Sequence, residues 1–383
     1  MGGSFLGELS EKFRNDRTAM MGFLGIIFFV LIALLAPFLA NDKPLLAFSE
    51  GKLSFPMIRT FFAPDSNEKM VEKTFNYLLL ICPIMFFCFR FISKAKLPYV
   101  LFVLAVLFLV PFLTAKTRLD RTDWREKVSR EKSFAVFAPI PYGPFENVSS
   151  PYEKPSPKHI LGTDQIGRDI ASRMIYGGRV SLAVGVAATA LTLLIGVAAG
   201  LISGYYGGKL DLAMMRMVEI IICFPTFLLL LILMSIMMDR KFEQSILIVI
   251  FVIGLTSWTG LSRIVRGEVL QQRQMPYIRA CECLGLPVGR ILFFHLLPNV
   301  AGPIFVSFTF GVAGAILAES GLSFLGFGVQ PPTASWGELL RQAFADPKTY
   351  WHLTLWPGLA IFASVLSFNF VGEGIRKAIS PQE

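Results

Sequence analysis

The sequence predicts an all-α polytopic membrane protein with about eight transmembrane helices, and three observations carry that reading. First, the 383-residue chain is 54% hydrophobic and only 16% charged, where an ordinary soluble domain is about 25% charged, and its mean hydropathy is +0.59. Second, apolar runs recur at the length of roughly 20 residues that crosses a hydrocarbon layer of about 30 Å. Third, Lys and Arg gather in the short segments between alternate runs. No water-soluble surface can be assembled from this composition, which excludes a soluble enzyme, a nucleic-acid-binding domain and a disordered tail. The net charge of +9 is read as basic residues retained on the cytoplasmic side of a lipid bilayer, with no nucleic acid as partner.

In chain order, residues 1–40 give a cytoplasmic tail and a first span, Met20–Leu39, which holds no charge and is too long for a cleaved leader. Residues 41–74 form an external loop. Phe75–Phe91 and Leu97–Ala115, joined by the basic turn Ser93-Lys94-Ala95-Lys96, make an extra hairpin over 75–115, with Arg90 able to snorkel. Residues 116–179, rich in Pro, Tyr and charge, form an external loop and an interfacial helix. A five-helix core over 180–375 follows: Val180–Ile202, Leu212–Met238, Ser245–Leu261, Val300–Phe324 and Leu355–Val371, with a cytoplasmic loop at 262–299 and a tail at 376–383. An even count places both termini on one side. Lys12, Arg14 and Arg17, the hairpin turn, the arginines of 262–299, and Arg376 with Lys377 then all fall on the cytoplasmic side.

Gly196, Gly200 and Gly204 lie four apart, as do Gly311 with Ala315 and Gly314 with Ala318. Small residues on one helical stripe suit close packing, within this chain or against another, and also suit a glycine-lined path. Pro225 should kink the fifth span. Glu219, three residues after Arg216, can pair on one helix face, and Glu319 near a helix end suits either function or solvation. His159, His295 and His352 lack metal-ligand spacing, Cys281-x-Cys283 puts its thiols on different faces, and no phosphate-binding loop is present. The sequence therefore assigns no catalytic residue, no metal and no bound cofactor to this chain. Five cysteines, partly in apolar runs, do not read as a disulfide framework.

The segment with the densest pattern is Tyr277-Ile-Arg-Ala-Cys-Glu-Cys-Leu-Gly285, then Leu-Pro-Val-Gly-Arg-Ile-Leu-Phe-Phe-His295-Leu-Leu-Pro298-Asn299. Pro276 suits the first turn of a short helix and Gly285 its end. Pro287–Leu297 forms a second helix, ended by Pro298, with Asn299 placed to cap the next span. Ala280, Cys281 and Leu284 make a partly apolar face. The pair reads as a knob for docking a soluble partner, or as an amphipathic helix resting on headgroups.

This loop resembles the Glu-Ala-Ala loop of the permease subunits of ATP-binding-cassette importers. Ala280, Gly285 and His295-Leu-Leu-Pro-Asn299 are in register, while Arg279 replaces the usual Glu and Cys281 the usual Ala. His159-Ile-Leu-Gly-Thr-Asp164, Gly167-Arg168-Asp169, Ser172-Arg173, Gly204-Tyr-Tyr-Gly-Gly-Lys-Leu-Asp211, Glu319–Pro332 and Ser335-Trp336-Gly337 are similar to the C-type permeases for dipeptides, oligopeptides and nickel. Ala40–Leu45 and Gly51–Pro56 are similar to the branch linked to microcin-type peptide uptake. The resemblance implies a type I importer core in a bacterial inner membrane, paired with a second permease in a heterodimer. Two cytoplasmic ATPases holding ATP and Mg, and an external binding protein delivering peptide, are implied with it. It places Arg279, Ala280, Cys281, Glu282, Leu284 and Gly285 at the ATPase contact, framed by Pro276, His295, Pro298 and Asn299. A secondary carrier and a non-transporting membrane scaffold are the alternatives.

Overall fold

Long apolar runs close into helices because a helix satisfies its own backbone groups, which lipid cannot do. The computed structural model describes residues 5–49, 52–62, 69–91, 123–131, 134–239 and 246–379. Helix α1 covers Phe5–Asn15 and α2 Arg17–Leu39. After β1 (Leu46–Ser49) and β2 (Lys52–Ser54) come α3 (Pro56–Phe62), α4 (Lys69–Phe91), α5 (Trp124–Glu131) and β3 (Phe134–Val136). The later helices are α6 (Ile170–Tyr206), α7 (Gly208–Ile222), α8 (Thr226–Asp239), α9 (Ile246–Arg273), α10 (Pro276–Cys283), α11 (Ala301–Phe324), α12 (Trp336–Gln342) and α13 (Trp351–Ile379). Among the described residues, α2, α6, α9, α11 and α13 are long and apolar enough to span a membrane, and α7 with α8 makes a sixth if counted as one broken span. The described residues thus account for five or six spans and do not confirm the count of about eight. Helix α4 contains the first expected hairpin helix, whereas Leu97–Ala115 lies outside the described residues. Nor is the fold wholly helical: β2-β1-β3 form a small antiparallel sheet, with Phe48 opposite both Leu53 and Phe134.

Contacts divide the chain into two units. Unit 1 comprises residues 1–27, 182–329 and 359–383, and unit 2 comprises 28–181 and 330–358.

In unit 1, Asp16 starts α2. Its Oδ1 accepts the amide protons of Thr18 at 2.9 Å and Ala19 at 3.2 Å, and its Oδ2 meets Lys377 Nζ at 3.1 Å. The Thr18 hydroxyl, donating to Oδ1 at 2.6 Å, and then Lys377 and the Ala19 amide hold the Asp16 carboxyl well below the usual carboxylate range. A seam of small residues continues that contact: a Cβ on Gly22 would lie 2.6 Å from Phe370 Cβ and from Ser367 O, and one on Gly374 would strike Ala19. The start of α2 and the end of α13 therefore meet.

The glycine stripe of α6 lies against α9. A Cβ on Gly196 would meet Trp258 O at 3.0 Å, on Gly200 Val265 Cβ at 2.6 Å, and on Gly204 Val269 Cβ at 2.7 Å. Helix α11 approaches α6 through Gly311, 2.7 Å from Thr189 on the same test, whereas Gly314 has open space around it and packs against nothing described. Between α7 and α8 the chain bends by 83°. Pro225 cannot supply the N–H that would carry α7 onward, so the expected kink is a break.

Unit 2 explains why α6 begins ten residues before the apolar run suggests. Asp169 Oδ1 accepts the Ser172 amide at 2.9 Å and opens the helix. The two arginines that hide this first part from a hydropathy reading are both given partners in place, one by carboxylates and one by carbonyls. Arg173 is fully buried, with Nη2 2.7 Å from Glu338 Oε2 and Nε 3.2 Å from Asp164 Oδ2. Arg179 donates from Nε to Ala33 O at 2.5 Å and from Nη2 to Leu34 O at 3.2 Å. Pro37, four residues beyond Ala33, has no N–H to offer that carbonyl, so Arg179 takes the position of the missing helical donor. Its guanidinium also lies 5.5 Å from the Phe75 ring, tying α4 to α2 and α6.

Candidate functional site

The knob is built by three local devices. Pro276 occupies the first helical position of α10, where an N–H would have no partner. At the other end Gly285 has φ +69°. Its amide bonds to Glu282 O at 3.0 Å and the Leu286 amide reaches back to Cys281 O at 3.1 Å, closing the helix with a left-handed residue. A Cβ on Gly285 would meet nothing within 4 Å, so the demand for glycine is one of backbone conformation alone.

Ile278 and Cys281, three apart, turn inward and join Leu201, Tyr205, Val265, Val269, Ile291, Leu292 and Leu296 in one core. Arg279, Ala280, Glu282 and Gly285 are exposed, and Leu284 is 78% exposed. The expected apolar face of Ala280, Cys281 and Leu284 is therefore split. Leu284 lies one residue past the helix end and projects outward, while Cys281 anchors. Glu282 accepts the Tyr205 hydroxyl at 3.3 Å, beneath the Arg273 guanidinium 5.7 Å from the Tyr205 ring. Burial pushes the Tyr277 hydroxyl above its ordinary range, and that hydroxyl donates to Gln272 Oε1 at 2.8 Å.

The return limb departs from expectation at two residues. It runs helically through Val288–Arg290, a π-helical Ile291–Leu296 and Leu297–Asn299. Pro298 does not end it, because in the wider register the Leu297 amide bonds to Leu292 O and Pro298 falls in a first-turn position. Asn299 does not cap α11. Its Nδ2 donates back to His295 O at 2.6 Å, and Val300 precedes α11 with no side-chain cap.

Helix α9 continues to Arg273, twelve residues past the expected end of the span, so the loop proper is 274–300. That extension brings Arg266 to Asp211, with Nε–Oδ1 and Nη2–Oδ2 both at 2.5 Å, and Ser203 Oγ donates to the same carboxylate. Arg216 Nη1 meets Glu219 Oε2 at 2.6 Å, as their spacing allows. Glu319 is fully buried and accepts Ser323 Oγ at 2.7 Å, which removes the reading of a solvated helix end. The described residues hold no cluster of metal-ligating groups.

Sequence reading missed a second constellation, in unit 2. Arg168 Nε meets Asp164 Oδ2 at 2.6 Å, and His159 Nδ1 lies 2.9 Å from Asp169 Oδ2. Glu338 also accepts Gln342 Nε2 at 2.6 Å, and Trp336 Nε1 donates to Met174 O at 3.1 Å. Each motif was visible in the sequence. That the motif at 164–173 pairs with the one at 335–338 was not.

Taken together, membrane-length helices packed on glycine seams, with a knob that shares a core with the ends of α6 and α9, define a multi-pass membrane protein. Residues 196–382 match the family described as binding-protein-dependent transport system inner membrane component, and residues 4–50 match the N-terminal TM domain of oligopeptide transport permease C. Among curated relatives, the oligopeptide transport system permease protein OppC of Haemophilus influenzae is 40% identical over 225 residues, 59% of this chain and 71% of that protein. OppC of Bacillus subtilis is 39% identical over 253 residues, 65% and 81% of the two chains. The dipeptide transport system permease protein DppC of Bacillus subtilis is 40% identical over 229 residues, 60% and 70%. The chain belongs to the family of inner membrane components of binding-protein-dependent transport systems, as a multi-pass permease subunit.

Proposed function

We propose that this chain forms, with a second permease, the transmembrane path of a peptide importer, and that cytoplasmic ATPases drive it through the 276–299 knob. The observation that carries the reading is the division of labour in α10. Ile278 and Cys281 bind the knob to the core, while Leu284, Arg279 and Glu282 are left outside for a partner. A lever must not bend: a motion imposed on Leu284 passes through the shared core to α6 and α9 as a rigid-body tilt. ATP and Mg belong to the ATPase subunits, whose closure supplies the differential contact between two states of the path. An external binding protein delivers peptide to the opposite mouth. Both termini and the knob then face the cytoplasm, in agreement with the basic residues around them and with the meeting of Asp16 and Lys377.

The test is assembly. Leu284→Asp places a charge on the exposed apolar tip, so membrane insertion should match wild type while ATPase subunits no longer co-purify and peptide uptake stops. Wild-type uptake with a full complement of ATPase would refute the reading. So would uptake that persists without the ATPases and collapses with an ion gradient.

A further inference from the structure

We propose that Arg263 is a substrate-contacting residue of the transport path, binding the C-terminal carboxylate of a peptide in the cleft between α7 and α9; this rests on the importer reading above.

The cleft has a volume of about 660 Å³ and is lined by Met215, Val218, Glu219, Ile222, Cys223, Arg263 and Arg266. That lies within the range of small-ligand sites, about 300–1,000 Å³. Its charges are not equivalent. Arg266 is held by Asp211 through two hydrogen bonds, and Glu219 is taken by Arg216. Arg263 is exposed and, among the described residues, has no ion-pair or hydrogen-bond partner. It stands two positions past Leu261, at the cytoplasmic end of the apolar part of α9. There an unpaired guanidinium is free to take an anionic group that reaches the cleft.

A second, independent feature marks the cleft as aqueous. Cys223, which lines it, belongs to the non-helical break before Pro225, and Cys223, Phe224 and Pro225 are all exposed. Broken backbone at membrane depth is tolerated only inside protein or along a water-filled cavity. A wet cleft whose one uncommitted charge is a planar fork of donors is suited to a carboxylate, which it can hold bidentately.

The test uses the complete complex in liposomes, comparing uptake of one tripeptide with a free C-terminus and with a C-terminal amide. Any preference of the binding protein affects wild type and variant alike, so the ratio of the two ratios isolates Arg263. Arg263→Gln should lower kcat/KM for the free acid about 10-fold or more and leave the amide within about twofold, with Arg263→Lys intermediate. An equal loss for acid and amide, or no loss, would overturn the assignment. Repeating the series in vesicles with and without phosphatidylglycerol separates the other source of an anionic oxygen. A loss that follows the anionic lipid and ignores the peptide terminus would make Arg263 a headgroup anchor and overturn the proposal. Wild-type complex that takes up neither peptide would instead sink the importer reading itself.

Discussion

The knob of unit 1 and the ionic network of unit 2 treat charge in opposite ways. In the knob, Arg279 and Glu282 stay exposed and the apolar Ile278 and Cys281 do the anchoring. In the network, Asp164, Arg168, Arg173 and Glu338 are each no more than 1% exposed, and the ions themselves are the anchor. A surface meant to be gripped and released needs polar groups that remain solvated in both states. A joint that never opens can bury its ions, because geometry supplies each with partners. The first arrangement suits exchange of contacts and the second suits permanence.

The contrast can be broken first at its costliest point. Glu338→Gln leaves Arg173 buried without its closest counter-charge, and single removal of a buried ionic partner costs about 3–5 kcal/mol. Unfolding of the purified protein in detergent should show that loss, and a change under about 1 kcal/mol would mean that Arg173 finds solvent. Ile278→Ala removes an apolar anchor of the knob and should cost about 2–4 kcal/mol by the same assay, loosening the knob without altering its outer face. Gly285→Val strains a left-handed residue by about 1–2 kcal/mol. Its functional effect should exceed its stability effect, with ATP hydrolysis persisting while uptake is lost; normal uptake would contradict the lever. Asp16→Ala removes a cap worth about 1 kcal/mol and should shift unfolding least. Because the Asp16 carboxyl is held below its ordinary range, its contribution is present above the unfolded carboxylate pKa and is lost only as pH falls through the depressed folded value. Near neutral pH the wild type should thus show no titration from this group.

The same contrast accounts for what the sequence made legible. The knob was readable because its determinants are contiguous: Pro276 at one end and Gly285 at the other frame a short helix. Even there, spacing alone does not give the direction of Leu284 one residue past the helix end, and the π-helical register that carries the chain through Pro298 leaves no mark in the residue order. The network was unreadable because Arg173 and Glu338 are 165 positions apart, and nothing in either motif names the other. Helix boundaries failed for a related reason. Hydropathy counts Arg173, Arg179, Arg263 and Arg266 as costs wherever they stand, yet Arg173 is neutralised by Glu338, Arg266 by Asp211, and Arg179 is hydrogen-bonded to the carbonyls of α2.

The seam between α2 and α13 has a consequence for how the protein is made. Gly22 and Gly25 take their neighbours from Ser367 and Phe370, and Ala19 from Gly374, so α2 finds this mate only once α6 to α11 and then α13 have followed it. Until then its small-residue edge stands open in the bilayer to other helices. Sealing of unit 1 accordingly waits on the synthesis of α13, and chains cut short before α13 should be the ones that quality-control proteases remove.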